Sequence, residues 1–294
     1  MAKESPYSPV STLDGAVRVE LSEDHPGFAD PAYRRRRDDL AALALDYRPG
    51  DPLPTPTYTE TEHEVWRIVS RELAAKHRQY ANREFLEAVE SLALPTDRIP
   101  QLFEVTELLA PLTGWTYLPV AGLAPLREFY SSFGDGVFHS TQYIRHHSVP
   151  LYTPEPDIVH EVLGHANQLA HPAFGDLCRL VGQVVQRLET DEALRFLSKV
   201  FWFTFEFGVA WEDGELRTYG AGILSSYGEL DHFRSAEVRP LDWGAMGTLD
   251  YDITHYQPVL FAAPSIGALV DELRTFLEAF DDETALRWTT STAA

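Results

Sequence analysis

Residues 201–208 read Phe201-Trp202-Phe203-Thr204-Phe205-Glu206-Phe207-Gly208, one carboxylate inside a run of aromatic rings. The segment around them, from about 192 to 211, is strongly apolar and is expected as a long buried helix, because a helix that is hydrophobic all round has no face to leave in water. An ionised glutamate there is costly unless it is paired or bound to a metal. Any fold of this chain must therefore bring Glu206 either an arginine or a metal with further ligands.

Candidate ligands lie upstream, in Thr153-Pro154-Glu155-Pro156-Asp157-Ile158-Val159-His160-Glu161-Val162-Leu163-Gly164-His165. Asp157 can cap a helix, and two imidazoles follow it. Their spacing is not the His-Glu-x-x-His of zinc proteases, which sets the histidines at i and i+4 on one face. At i and i+5 on an ideal α-helix, advancing about 100° per residue, His160 and His165 stand roughly 140° apart. Joint chelation then needs a distortion or a helix end, expected near Gly164, where glycine permits one. Two imidazoles and one carboxylate make the facial triad of non-heme Fe(II) oxygenases, which leaves one octahedral face open for oxygen and co-substrates.

The remaining chain reads as mainly helix with minor β. Thr59 and Glu62 form a capping-box pattern before a segment in which Val65, Trp66, Ile68, Val69 and Leu73 share a face. Residues 83–93, 100–111, Pro156 to about Leu169, 173–189 and 265–280 read as further helices, the last capped by Ser265. Residues 137–152 and 214–262 suit short strands and turns. Residues 1–30 read as an extended N-terminal arm and 31–294 as a single catalytic domain. The formal charge of −21 repels phosphate backbones and anionic membranes, which argues against nucleic-acid and membrane partners. One basic run, Arg34-Arg35-Arg36-Arg37, precedes Asp38-Asp39 and reads as a solvated helix start. No stretch approaches the roughly 18 apolar residues of a membrane span. The N-terminus lacks the apolar core of a secretory signal. A single cysteine, Cys178, excludes an internal disulfide framework and a cysteine-rich metal site, which fits a cytoplasmic location.

Three blocks carry a family resemblance: TQYIRHHSVPLYTPEPDIVHEVLGH, FWFTFEFG and YGAGILSSYGEL. In order and spacing they resemble the hallmark blocks of the pterin-dependent aromatic amino acid hydroxylases, over about residues 30 to 285. The resemblance implies a mainly helical fold with iron in a helix-lined cleft. Fe(II), a tetrahydropterin such as tetrahydrobiopterin, and O2 would be the cofactors, and a small aromatic amino acid the substrate. It puts the metal on His160, His165 and Glu206. It sets Glu161 beside the pterin, where it helps direct the oxygen chemistry, and Phe129 against the pterin ring, a flat group that needs an apolar face. Gly122, Leu123, Ala124 and Leu126 belong to the pterin-binding loop and its exit. Arg145 becomes the clamp on the substrate carboxylate, through a two-pronged contact that lysine cannot make. Asp157 would orient that arginine, while Thr153 and Ser225 would lie around the amino-acid backbone. Trp202, Phe207, Pro156 and His160 would wall the aromatic ring, with Tyr251 close by.

Two positions bear on the substrate, again through the resemblance. Tryptophan hydroxylases tend to have Phe in place of Trp202, and tyrosine hydroxylases an acid in place of Ile253. An apolar Ile253 leaves a phenol hydroxyl without a partner, at a cost on the order of 1–3 kcal/mol. Phenylalanine, hydroxylated at position 4, therefore ranks ahead of tyrosine and tryptophan, against a slightly tyrosine-like Ser225-Ser226-Tyr227-Gly228-Glu229. The chain departs from the family pattern at Ala166-Asn167-Gln168, where Val-Pro is usual, and at Phe201 (for Tyr), Phe205 (for Val) and His147 (for a small residue). A zinc hydrolase with Glu161 as general base, and a non-catalytic metal-binding homologue, are the competing readings. No heptad-bearing tail follows the helix at 265–280, so a monomer is expected.

Overall fold

The computed structural model describes residues 8–13, 15–122, 124–253 and 255–292. The first four helices are α1 (Pro31–Asp46), α2 (Glu60–Tyr80), α3 (Arg83–Leu92) and α4 (Leu102–Thr113). Side chains satisfy N–H groups that a helix start leaves unpaired. Asp30 accepts from the N–H groups of Ala32 and Tyr33, Asn82 from that of Phe85, and Thr59 with Glu62 closes the capping box. Helix α2 buries Val65, Trp66, Val69 and Leu73, the face expected from its periodicity.

Further helices are α5 (Leu126–Ser132), α6 (Asn167–Leu169), α7 (Pro172–Arg187), α8 (Asp191–Phe201), α9 (Ala221–Leu224), α10 (Tyr227–His232), α11 (Trp243–Thr248), α12 (Ile266–Ala279) and α13 (Asp282–Thr292). Ser265 caps α12 by accepting from Ala268 N–H at 3.1 Å. Strands β3 (Thr116–Pro119) and β4 (Val137–Ser140) pair in parallel. A four-stranded sheet has the order β6-β5-β8-β7, from β5 (Val209–Glu212), β6 (Glu215–Thr218), β7 (Glu237–Pro240) and β8 (Val259–Ala263). Trp66, Trp115, Tyr117, Phe133, Phe138, Phe196, Phe203 and Phe205 are fully buried. Each large apolar side chain so buried is worth roughly 1.5–3 kcal/mol.

Three expectations are corrected, and one helix is added. The N-terminal stretch is not simply extended: β1 (Val10–Leu13) and β2 (Ala16–Val19) form a hairpin. Val19 and Leu21 bury against Ala41 of α1, and Val19 N–H donates to Asp38. The basic run is not wholly solvated. Arg37 is buried, donates to Glu155 at 2.7 Å and lies over the Tyr143 ring. The aromatic helix stops at Glu206 instead of running to 211, and the chain turns into β5. A helix not anticipated, α13, follows α12 and packs on α8 through Trp288, stacked 5.3 Å from Phe196.

Candidate metal centre

The spacing problem of the two histidines is solved by the backbone. Val159–Ala166 is a π-helix, and so is Trp202–Glu206. A π-helix bonds i to i+5 and takes more residues per turn than an α-helix, so residues five apart come onto one face. His160 and His165 accordingly meet, their Nε2 atoms 3.1 Å apart. In the second segment Phe207 N–H donates to Trp202 C=O at 2.8 Å, which closes the wide turn with Glu206 at its end. The distortion expected near Gly164 is the Val159–Ala166 π-helix, which runs through the glycine without ending. A Cβ there would meet Ala221 C=O at 3.0 Å and Ser225 Cβ at 3.4 Å, so its role is to admit the 221–225 segment. Gly222 does the same on the other side, where a Cβ would come within 2.9 Å of Glu206 C=O. Both π-segments thus clasp α9.

Glu206 Oε1 lies 3.0 Å from His165 Nε2, and Oε2 3.6 Å from His160 Nε2. Metal bonds of about 2.1 Å at right angles separate neighbouring ligand atoms by about 3.0 Å. Among the described residues the ion-pair partners of Glu206 are these two imidazoles and not an arginine. The centre fits a metal chemically as well. Ser225 Oγ donates to Ala221 C=O at 2.7 Å and so accepts at 2.9 Å from His160 Nδ1, which leaves Nε2 a bare lone pair. Burial pushes His160 down to about 4, with Glu206 opposing and His165 assisting, so it stays neutral as a ligand must. Burial acts against charge on His165 and Glu206 too. Their mutual attraction outweighs it, holding the histidine up and the carboxyl down. His165 keeps 3% of its side-chain surface open, against 15% for His160 and Glu206, so the cluster meets solvent along the His160–Glu206 edge.

Beside the triad stands a fixed fork. Arg145 Nε and Nη2 donate to the two oxygens of Asp157 at 3.0 and 2.8 Å, and Asp157 also accepts from Arg145 N–H at 2.7 Å. Both side chains are buried. Trp202 stacks on Tyr251 at 4.1 Å, nearly parallel, and tilts against Phe207 at 4.4 Å. Glu161 is buried, and its C=O accepts from Tyr117 O–H at 2.8 Å.

The model of a known family, the biopterin-dependent aromatic amino acid hydroxylases, matches residues 12–294. The chain belongs to this family. A phenylalanine 3-hydroxylase of Streptomyces coeruleorubidus is 48% identical over 259 residues, 88% of this chain and 93% of that protein. Phenylalanine-4-hydroxylase of Caenorhabditis elegans is 41% identical over 276 residues, 92% of this chain but 60% of that protein. The structure of Chromobacterium violaceum phenylalanine hydroxylase with bound iron(III) and 7,8-dihydrobiopterin matches with a TM-score of 0.74 at 28% identity, covering 82% of this chain and 90% of that one. The fold is the catalytic-domain fold of the hydroxylases.

Within that fold the residues expected from the sequence fall into place unevenly. Phe129 is half-buried and edge-on to Phe138, whose ring lies 4.8 Å from that of His165. Gly122 is buried under the hairpin: a Cβ would meet Val10 at 2.9 Å. Ala124 is half-buried and Leu126 exposed at the start of α5, while Leu123 lies outside the described residues. Thr153 turns its hydroxyl onto Glu155 C=O at 2.7 Å, and Pro156 C=O accepts from Tyr143 O–H. Ser225 holds His160. Ile253 is half-buried two residues beyond Tyr251. Of the departures from the hydroxylase pattern, Ala166, Asn167, Gln168, Phe201 and Phe205 are buried, while His147 is exposed. Phe201 and Phe205 stack on each other at 4.8 Å, and Gln168 donates to Phe205 and Tyr219 C=O at 3.0 and 2.8 Å, tying the two π-segments together.

One site residue escaped the sequence reading altogether. Gln257 is buried. It accepts from Trp202 Nε1 at 3.1 Å, donates to Asp252 and His255 C=O at 2.8 and 3.0 Å, and donates its main-chain N–H to Glu229 at 3.1 Å. It fixes both the indole and the loop that carries Tyr251 and Ile253. A lone amide between Tyr256 and Pro258 gives no sequence signal of this.

Proposed function

We propose that the chain hydroxylates the ring of phenylalanine, with His160, His165 and Glu206 holding Fe(II) and a tetrahydropterin and O2 as co-substrates. The observation that carries this reading is the convergence of two imidazole nitrogens and a carboxylate at the spacing of neighbouring metal ligands, on two π-turns that share one clasp. When bound, iron and pterin supply the activation of oxygen. The chain supplies position and a dry wall. Ser225 sets the tautomer of His160. Asp157 aims Arg145, whose Nη1 makes no hydrogen bond among the described residues, so a substrate carboxylate can take it. Thr153 and Pro156 border that clamp. Trp202, Phe207 and Tyr251 form an aromatic slab that Gln257 locks, against which a flat ring lies. Phe129, with the loop from Gly122 through Ala124 to Leu126, receives the pterin, and Glu161 stands next to the ligand His160.

Position 4 of the ring is the first reading. A second, position 3, is favoured by the 48% identity to the Streptomyces coeruleorubidus phenylalanine 3-hydroxylase. Anaerobic Fe(II) loading, then turnover of phenylalanine, tyrosine and tryptophan with tetrahydrobiopterin, tests the reading. Chromatography separates the tyrosine isomers. Phenylalanine is expected to turn over fastest, and a protein that binds iron but hydroxylates none of the three defeats the proposal. Replacing Ile253 by Asp should move the ratio of kcat/KM toward tyrosine by about tenfold, since the acid gives a phenol hydroxyl a partner. An unchanged ratio removes Ile253 from the pocket. In this reading the enzyme is a cytoplasmic monomer, and light scattering should find 33.2 kDa particles. No described helix is long and apolar enough to cross a membrane.

A further inference from the structure

We propose that Asp30, His146 and His147 form a second, solvent-accessible site for a transition-metal cation of the Zn2+ type, separate from the centre at Glu206. Each of the three side chains offers one ligand atom, and these atoms lie within 4.8 Å of one another. They come from distant parts of the chain: Asp30 stands at the head of α1, the histidines in the loop after β4. His146 Nε2 is 3.3 Å from Asp30 Oδ2, inside the roughly 3.0–3.4 Å between neighbouring ligands when metal bonds are about 2.0–2.1 Å long. The His146 and His147 rings lie 4.3 Å apart between centroids.

Two of the three ligands are already fixed. His146 is buried, with its ring edge-on to Tyr33 at 5.0 Å. Its Nδ1 lies 2.7 Å from Ser148 Oγ and 3.3 Å from Ser148 N, so Nδ1 can accept from both while Nε2–H donates to Asp30. When Nε2 binds a cation, the hydroxyl can instead accept from Nδ1–H. Asp30 is held independently. Its Oδ1 accepts from the N–H groups of Ala32 and Tyr33, which leaves Oδ2 turned toward His146. The third ligand, His147, is exposed, so a cation can enter from solvent and His147 can close on it. A plain His146–Asp30 hydrogen bond would account for those two side chains and give His147 no part. Two imidazoles with one carboxylate favour Zn2+, Ni2+ or Cu2+ over Mg2+ and Ca2+, which prefer all-oxygen shells. An occupied site ties the 146–148 loop to the head of α1.

The test uses untagged metal-free protein, titrated with Zn2+ by calorimetry and checked by elemental analysis after gel filtration. His147→Ala is measured beside the wild type, and the same change is repeated in a Glu206→Ala background, where the inner centre is disabled. Loss of His147 is expected to remove one equivalent of Zn2+ in both backgrounds, or to weaken that equivalent at least tenfold. Because His147 is exposed, the circular dichroism of His147→Ala should match that of the wild type. Equal stoichiometry and affinity with and without His147 overturns the site. The inner centre is judged separately, by the effect of Glu206→Ala alone.

Discussion

Among the described residues two clusters pair two histidines with one carboxylate, and they are assembled by opposite means. In the inner one, His160, His165 and Glu206 sit on two π-turns, with Ser225, Gln168 and the 221–225 segment wedged between them. All three side chains stand on π-turns whose other residues are almost all buried. In the outer one, His146 and Asp30 are set by one serine and one helix start, and His147 is left to solvent. On the two proposed assignments, the contrast is between a centre built before its metal arrives and one that a metal would complete. Burial explains the difference. Taking Glu206 out of water is tolerable only with positive partners, so the inner side chains must already converge, whereas Asp30 keeps 32% of its side-chain surface in water and needs no cation.

The largest effect expected is at the inner centre. His165→Ala or Glu206→Ala should leave no retained iron after desalting and lower turnover by at least about a thousandfold, since the oxygen chemistry belongs to the cofactor. Circular dichroism should stay native. Full activity in either variant breaks the assignment. Next comes Arg145, the residue before His146 in sequence. Its fork is worth about 1.5–3 kcal/mol as a charged hydrogen-bonding pair, so Arg145→Lys should raise the amino-acid KM by roughly ten- to a hundredfold. Pterin oxidation should change less, and an equal loss in both would make Arg145 structural.

A smaller effect sharpens the contrast directly. Ser225→Ala should weaken Fe(II) binding by about tenfold or more, the usual consequence of removing the partner of a ligating histidine. Ser148→Ala should cost Zn2+ less than about threefold at the outer site, because water can replace that hydroxyl. Equal losses at the two would show that the inner frame confers no preorganisation. The smallest expected effect concerns Glu229, behind the Trp202 slab. Burial pushes it up to about 7 from an ordinary 4.5, opposed by the Gln257 N–H. The unfolded chain loses this proton near 4.5 and the folded chain near 7, so the stability it contributes is whole below about pH 4 and is lost as pH rises through 7. Glu229→Gln should therefore gain on the wild type between pH 5 and pH 8, by on the order of 1–2 kcal/mol after allowing for solvent screening. Thermal melts at the two pH values measure it, and a gain that does not grow with pH would mean Glu229 titrates normally.

The sequence by itself determined the ingredients. Trp66 and Leu73 share a face because helical periodicity is local, and Thr59, Asn82 and Ser265 cap helices through neighbours three residues away. Glu206 in its aromatic run demanded a cationic partner wherever the chain went. Other features depended on contacts between distant segments. His160 and His165 look mismatched on an α-helix, and the two wide turns that align them come with close packing of Gly164 against α9 and of Gly222, within α9, against Glu206. Arg37, in a run that reads as solvated, is buried because Glu155, 118 residues on, comes to meet it. Gln257 became a lock when Trp202 and the 252–255 carbonyls converged on its amide. Propensity and charge act over a few residues and can be read along the chain. Which helix turn widens, which charge is buried and which amide is satisfied is settled by the neighbours that close packing supplies, and these are separated in sequence by 40 to 120 residues or about that range.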